Sequence, residues 1–266
     1  MIRLLSEENF LKSLFIIQSK FLRKLASFVF FVLLWYIIAA VINAPLILPF
    51  PHQVLIRLIH LCRKADFWLS FLFTFIRVNT AFYISLVLGF FLGLLSADFS
   101  FVKDLLEVPL SVIRTVPVIS FILLALFWFS SDIVPVFVAV LMSLPVMLSA
   151  CEKGFEKNNE LKEKLFKAEC AGFTGIKAFR YIRFPIAFPS VYAGAEASFG
   201  LCWKVVAAAE VLSLPKMAAG AIMQKAQVHL ETADVLAVTI MLVFVSLFFQ
   251  KILTKIRLSS ILYKSV

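Results

Sequence analysis

Charge is scarce in this 266-residue chain: Asp, Glu, Lys and Arg make up 16% of it, against about 25% in a soluble domain. Apolar residues reach 62%, where a soluble domain holds about 45–50%, and the mean hydropathy is +0.99. An ordinary water-soluble enzyme and a disordered chain are thereby excluded. The four cysteines, Cys62, Cys151, Cys170 and Cys202, contain no C-x-x-C pair, so neither a disulfide nor a metal framework has support. His52, His60 and His229 are scattered, and no metal ligand set is assigned. There is no G-x-x-x-x-G-K-[ST] run to cradle phosphates. No nucleophile–base set stands out either, so no catalytic residue is assigned. What remains is an integral, all-α membrane protein.

Acidic residues are the scarcer sign, 16 against 26 Lys and Arg, for a net charge of +10. In a soluble protein that excess would raise nucleic acid as a partner. In a membrane protein it reflects Lys and Arg kept on the cytoplasmic side, so no nucleic-acid binding is expected and lipid is the partner.

A membrane span takes about 20 mostly apolar residues. Six apolar stretches are candidates: Leu25 to Ile42, Val78 to Leu95, Val116 to Phe129 (the shortest), Ile133 to Ala150, Ser190 to Leu214 and Ala233 to Phe249. The first is too long for the h-region of a signal peptide, about 7–15 residues, and reads as an uncleaved anchor. In the second, Ala81, Ser85, Gly89, Gly93 and Ala97 recur every fourth residue. They form a stripe of small side chains on which another helix can pack closely. Pro117, Pro135 and Pro145 mark starts and kinks, tolerated where neighbours satisfy the freed carbonyls.

With both ends cytoplasmic, 19 basic residues fall on the inner side and six on the outer: Arg57, Arg63, Lys64, Arg77, Lys216 and Lys225. That asymmetry sets the orientation. Residues Pro45 to Arg77 carry four of the six and are expected to lie at the interface as an amphipathic segment. The chain thus divides into an N-terminal tail, first span and interfacial segment (1–70), a transmembrane core (71–250) with a long cytoplasmic loop (151–189), and a basic cytoplasmic tail (251–266).

The loop is the most informative segment. Glu152 to Lys167 alternates in charge like a solvated helix, and the stretch from Gly172 to Gly175 breaks it. Then Ile176, Phe179 and Ile182 recur at three-residue spacing, with Lys177, Arg180 and Arg183 on another face. Such a short basic amphipathic helix suits either anionic lipid or a groove on a soluble partner.

Ala168, Gly172, Phe179, Pro185 and Pro189 resemble, in order and spacing, the cytoplasmic coupling (EAA) loop of permeases in bacterial binding-protein-dependent ABC importers. The run from Gly200 through Trp203 and Lys204 to Glu210 is similar to the G-x-x-W-K-x-x-x-A-A-E sequence of the nitrate, taurine, sulfonate and bicarbonate branch. Arg77, Gly89 and Gly93, Arg114-Thr115-Val116-Pro117 and Phe127-Trp128-Phe129 fit the same layout, so the resemblance spans about Phe71 to Gln250. One departure stands out. Aligning Gly172 with the family glycine puts Phe166-Lys167-Ala168 where Glu-Ala-Ala would stand. The alternative, Glu169-Cys170-Ala171 with Gly175, shortens the distance to Pro185. The Gly172 register is preferred, and the contact usually made by the leading glutamate is in doubt.

The resemblance implies a polytopic, MetI-like type I importer permease with about six transmembrane helices, in the bacterial cytoplasmic (inner) membrane. It implies a homodimer partnered by two ATPase subunits, which carry the ATP and Mg, and by an extracytoplasmic substrate-binding protein. This chain itself would hold no cofactor. The solute would be nitrate, a sulfonate such as taurine, bicarbonate or a vitamin precursor. Glu196, Lys204 and Glu210 are ionisable residues within a span, where each costs at least about 2.5–3.5 kcal/mol, so with Trp203 they mark the candidate translocation pathway. Glu196 and Lys204 share a helix face, and Glu210 is turned about 600° beyond Lys204, on another side. Two readings stay open for them: a pathway face, or a structural ion pair with Glu210 near the membrane surface. Trp203 reads first as packing. The competing function is a secondary transporter that uses Glu196 and Lys204 for ion coupling.

Overall fold

A computed structural model describes residues 2–262 except 157–162, 165, 168–171 and 173, with side chains described over 22–255 outside those gaps. The described residues are helical, without strands. In chain order the helices are α1 (Ile2–Ile42), α2 (Pro51–Cys62), α3 (Ala65–Asp98), α4 (Ser100–Thr115), α5 (Val118–Trp128) and α6 (Val134–Phe155). After the loop come α7 (Ile176–Ala178), a π-helical turn (Phe179–Arg183), α8 (Phe184–Ser213), α9 (Ala219–Val228) and α10 (Thr232–Leu262).

Four segments are each long and apolar enough to cross a membrane: Leu22–Ile42, Ala65–Asp98, Val134–Phe155 and Thr232–Lys255. A bent pair, α4 with α5, makes a fifth. Helix α8 has the length, 30 residues or about 45 Å. It falls outside that set because small and ionisable residues lower its hydropathy.

Several expected boundaries are corrected. The second span does not begin at Val78 but at Ala65, so the segment expected at the interface ends with α2, whose Val54 and Leu61 are buried. Arg77 is therefore no loop charge; it sits inside α3. The stretch Val116 to Phe129 holds one short helix, α5, and makes a span only together with α4, which meets it at 103°. Pro117 is the cause: it disfavours helix at Val116, which is extended (ψ 133°), and α5 restarts after it. The fifth span starts at Phe184 rather than Ser190, continuous with the loop through the π-helical turn. A proline ring at Pro185 would press on the carbonyl four residues back, and the wider turn just before it gives that ring room.

The core is a sandwich of α3, α6 and α8. The small-residue stripe on α3 meets α6: a Cβ on Gly89 would stand 2.7 Å from Met147 Cβ, and one on Gly93 2.5 Å from Cys151 Cβ. Ser85 and Ser143 share a hydrogen bond of 2.6 Å across the same seam. On the other side of α6, a Cβ on Gly194 would stand 2.2 Å from Ala150 Cβ. Backbones this close gain dispersion contacts that lipid cannot supply. Helix α2 is tied to the start of α10, where Arg57 pairs with Asp234 through two hydrogen bonds.

Gly93→Leu or Gly194→Val should therefore wedge α6 off its neighbours. The expected loss is about 1–3 kcal/mol, seen as a lower melting temperature of the purified protein in detergent. Gly172→Ala, which would touch nothing within 4 Å, should cost less.

Candidate functional site

Arginines hold both ends of the sandwich. At one end, Arg77 is 7% exposed; its Nη1 donates to Glu210 Oε1 (3.0 Å) and to the Met217 carbonyl (2.8 Å), and its Nη2 to Asp132 Oδ1 (2.7 Å). Glu210 has no exposed surface. Its Oε2 accepts from Thr74 Oγ1 (2.9 Å) and from the Gly220 amide (3.1 Å), and Thr74 Oγ1 also accepts from the Ala219 amide (3.0 Å). The first amides of α9 are free donors, which is why a carboxylate and a hydroxyl face them. Gly220 permits the approach: a Cβ there would lie 2.5 Å from Glu210 Cβ. One network, buried at Glu210 and Arg77, thus joins α3, α8, α9 and Asp132 in the turn before α6.

At the other end Arg183 grips Asp98 bidentately, both bonds 2.8 Å, and donates to the Phe155 carbonyl at 3.1 Å. Its guanidinium also sits 5.5 Å above the Phe155 ring. Phe179 stacks on Phe155 with centroids 5.8 Å apart. Nearby, Lys103 pairs with Glu152 at 2.9 Å. The last residues of α3 and α6 and the first of α8 are joined as one unit.

The loop residues fall around this joint. Gly172 and Gly175 take positive φ, +81° and +56°, a conformation that costs other residues strain. Beyond them Ile176 points outward, 85% exposed, with Lys177 and Arg180 also exposed. Phe179 is turned inward on Phe155, and Arg183 is held by Asp98, so neither belongs to the outward face that their spacing suggested. Pro185 lies in the first turn of α8, Pro189 one turn further. Ala168 lies outside the described residues.

An open cleft of about 920 Å³ runs along α8. Glu196, Gly200, Lys204, Ala207 and Ala208 form one wall; Thr239, Ser246 and Gln250 of α10 stand opposite. Glu196 Oε1 accepts from Thr254 Oγ1 at 2.6 Å. Trp203 borders the cleft but is 3% exposed, packed against Phe75 and Phe199. Glu210 is not in this cleft. Among the described residues no group of three His, Cys, Asp or Glu side chains is placed to hold a metal ion.

Residues 85–256 match the family of binding-protein-dependent transport system inner membrane components. The chain belongs to that family. It is an ABC importer permease. It is also similar to the taurine transport system permease protein TauC of Escherichia coli (strain K12), with 24% identity over 213 residues, covering 76% of this chain and 75% of that protein. The family match at 85–256 holds the loop, α6, α8 and the cleft. Arg77 and Thr74 precede that span, so the permease's buried network reaches beyond it.

Sequence reasoning placed Glu196, Lys204 and Trp203 together and missed the ion network. Arg77 was counted as a loop charge and Asp132, Thr74 and Gly220 carried no periodic signal. The one clue was Glu210 itself, a buried-span carboxylate in need of a cation.

Truncating one partner of a buried ion pair strands the other. Glu210→Ala should therefore destabilise the permease by about 3–5 kcal/mol. The double variant Arg77→Leu with Glu210→Leu should lose much less. Thermal unfolding of the three proteins in one detergent compares them.

Proposed function

We propose that the permease forms the pathway for a small solute and is driven by a separate ATPase that docks on the loop 151–189. The observation that carries this reading is mechanical. The exposed Ile176 turn runs through the π-helical turn directly into α8, and α8 carries the cleft. Arg183 fastens that junction to α3 and α6, so a push on the loop moves the cleft wall as a rigid body, the kind of motion that alternating access requires. Opening and closing of the ATPase pair, with ATP and Mg bound there, would supply the push.

The remaining parts of the reading follow from family and topology. The open cleft on one side of α8 suits closure by a second copy, giving a homodimer with the pathway between subunits. An extracytoplasmic binding protein would deliver the solute; nitrate, taurine or another sulfonate, bicarbonate and a vitamin precursor are the candidates. The excess of Lys and Arg on the loop and tails favours both termini in the cytoplasm and insertion in the bacterial inner membrane.

Ile176 and Gly172, rather than the inward-facing Phe179, are the residues to change. The tagged permease, solubilised from its native host, is expected to bring down a P-loop ATPase. Ile176→Asp with Gly172→Asp should abolish that capture while leaving the melting temperature within a few degrees. Capture unaffected by the double variant would overturn the docking site. Uptake by this chain alone in ATP-free vesicles would overturn the importer mechanism in favour of a secondary transporter.

A further inference from the structure

Two adjacent donors on α8 lack an acceptor. Lys204 is exposed on the cleft and makes no ion pair or hydrogen bond among the described residues. Trp203 borders the same cleft, and its indole N–H is buried without an acceptor. Buried donors are nearly always satisfied, and an ammonium within the membrane normally faces a partner or a water-filled cavity. Two such groups side by side mark a place where an acceptor arrives from outside the chain.

The carboxylates of α8 do not fill that role. Glu210 is committed to Arg77, Thr74 and the Gly220 amide. Glu196 accepts from Thr254 and stands eight residues away, about 12 Å along the axis, toward the Phe184 end. The facing wall of α10 carries no charge: Thr239, Ser246 and Gln250 alternate there with Leu242, Val243 and Leu247. On the α8 wall itself Gly200, Ala207 and Ala208 are small, which leaves the cleft open beside Lys204.

We propose that Lys204 is the charge-selecting residue of the pathway, a station where a small anion pairs with the ammonium during passage. This rests on the pathway reading above. The ligand chemistry is that of a compact oxyanion group, a nitrate, carboxylate or sulfonate; only ion pairing and hydrogen bonding are involved. A single ammonium attracts an anion and opposes a cation. Glu196, further along the same wall, opposes prolonged retention, which suits a site that must release what it holds.

Ala208, exposed on the cleft one turn beyond Lys204, gives the probe position. In the full chain carrying Ala208→Cys, reconstituted in nanodiscs, the rate of thiol labelling is measured with an anionic and with a cationic methanethiosulfonate, against the chain without the added thiol. Local attraction of the anion should make the anionic-to-cationic rate ratio fall by about threefold or more when Lys204→Gln is added, and Lys204→Arg should keep it. An equal ratio with and without the ammonium overturns the proposal, as does a thiol that neither reagent reaches. A parallel fall with both reagents also overturns it, since that reports collapse of the cleft. The ATPase capture does not involve Lys204. Its failure with the anion preference intact overturns the importer reading alone, and the reverse pattern overturns the anion station alone.

Discussion

Close contact between helix backbones governs this protein. Helices α3, α6 and α8 approach so tightly at Gly89, Gly93 and Gly194 that a methyl group at any of these positions would overlap its neighbour. In lipid there is no hydrophobic gain from bringing two apolar helices together, so dispersion and a few interhelical hydrogen bonds must hold them. Small residues allow the contact, and Ser85 with Ser143 adds a polar link. Everything else is arranged on that sandwich: the arginine clamps at its two ends, the cleft on the outer side of α8, and the loop that continues into α8.

The two clamps differ in what they join. Arg77 ties α3 to α8 through a carboxylate that has no access to solvent, with Asp132 and the Met217 carbonyl as its outer partners. Such a network is sensitive to loss of a single member, because a stranded buried charge costs more than the intact pair contributes. Arg183 binds the loop junction to α3 and α6 through a bidentate pair and a ring face, geometry that lysine could not reproduce. Between the clamps α8 is one unbroken helix. A membrane protein that must move without unfolding benefits from rigid units of this sort, since motion is then confined to the surfaces between them.

Much of the architecture was legible from periodicity alone. The four-residue recurrence from Ala81 to Ala97 foretold a close helix contact, because small side chains on one stripe have no other use in lipid. The loop order from Gly172 to Pro189 and the run Gly200 to Glu210 indicated the family. Where the reading failed, the cause was physical. Pro117 marked the start of an apolar stretch, but the 103° angle between α4 and α5 depends on how both helices pack and has no counterpart in an apolar average. Arg77 looked like a loop residue because its compensating charge lies 133 positions away. Phe179 and Ile176 look equivalent by spacing, yet one stacks on Phe155 and the other is outside, a distinction made by the packing of α6.

The sequence by itself determined that this chain lies in a membrane, that it is helical, that one stripe of α3 is a packing surface and which family it belongs to. Composition and local periodicity carry the first three, since each residue reports its own preferred environment, while the family came from the resemblance of the motifs from Gly172 to Pro189 and from Gly200 to Glu210. Only the tertiary structure decided which intramembrane charges are spent and which remain. Glu210 and Lys204 stand six residues apart on one helix, and nothing local distinguishes them. Their fates differ because α3 brings Arg77 against one face of α8, while the other face borders an open cleft, and pairing of charges depends on what arrives from far along the chain.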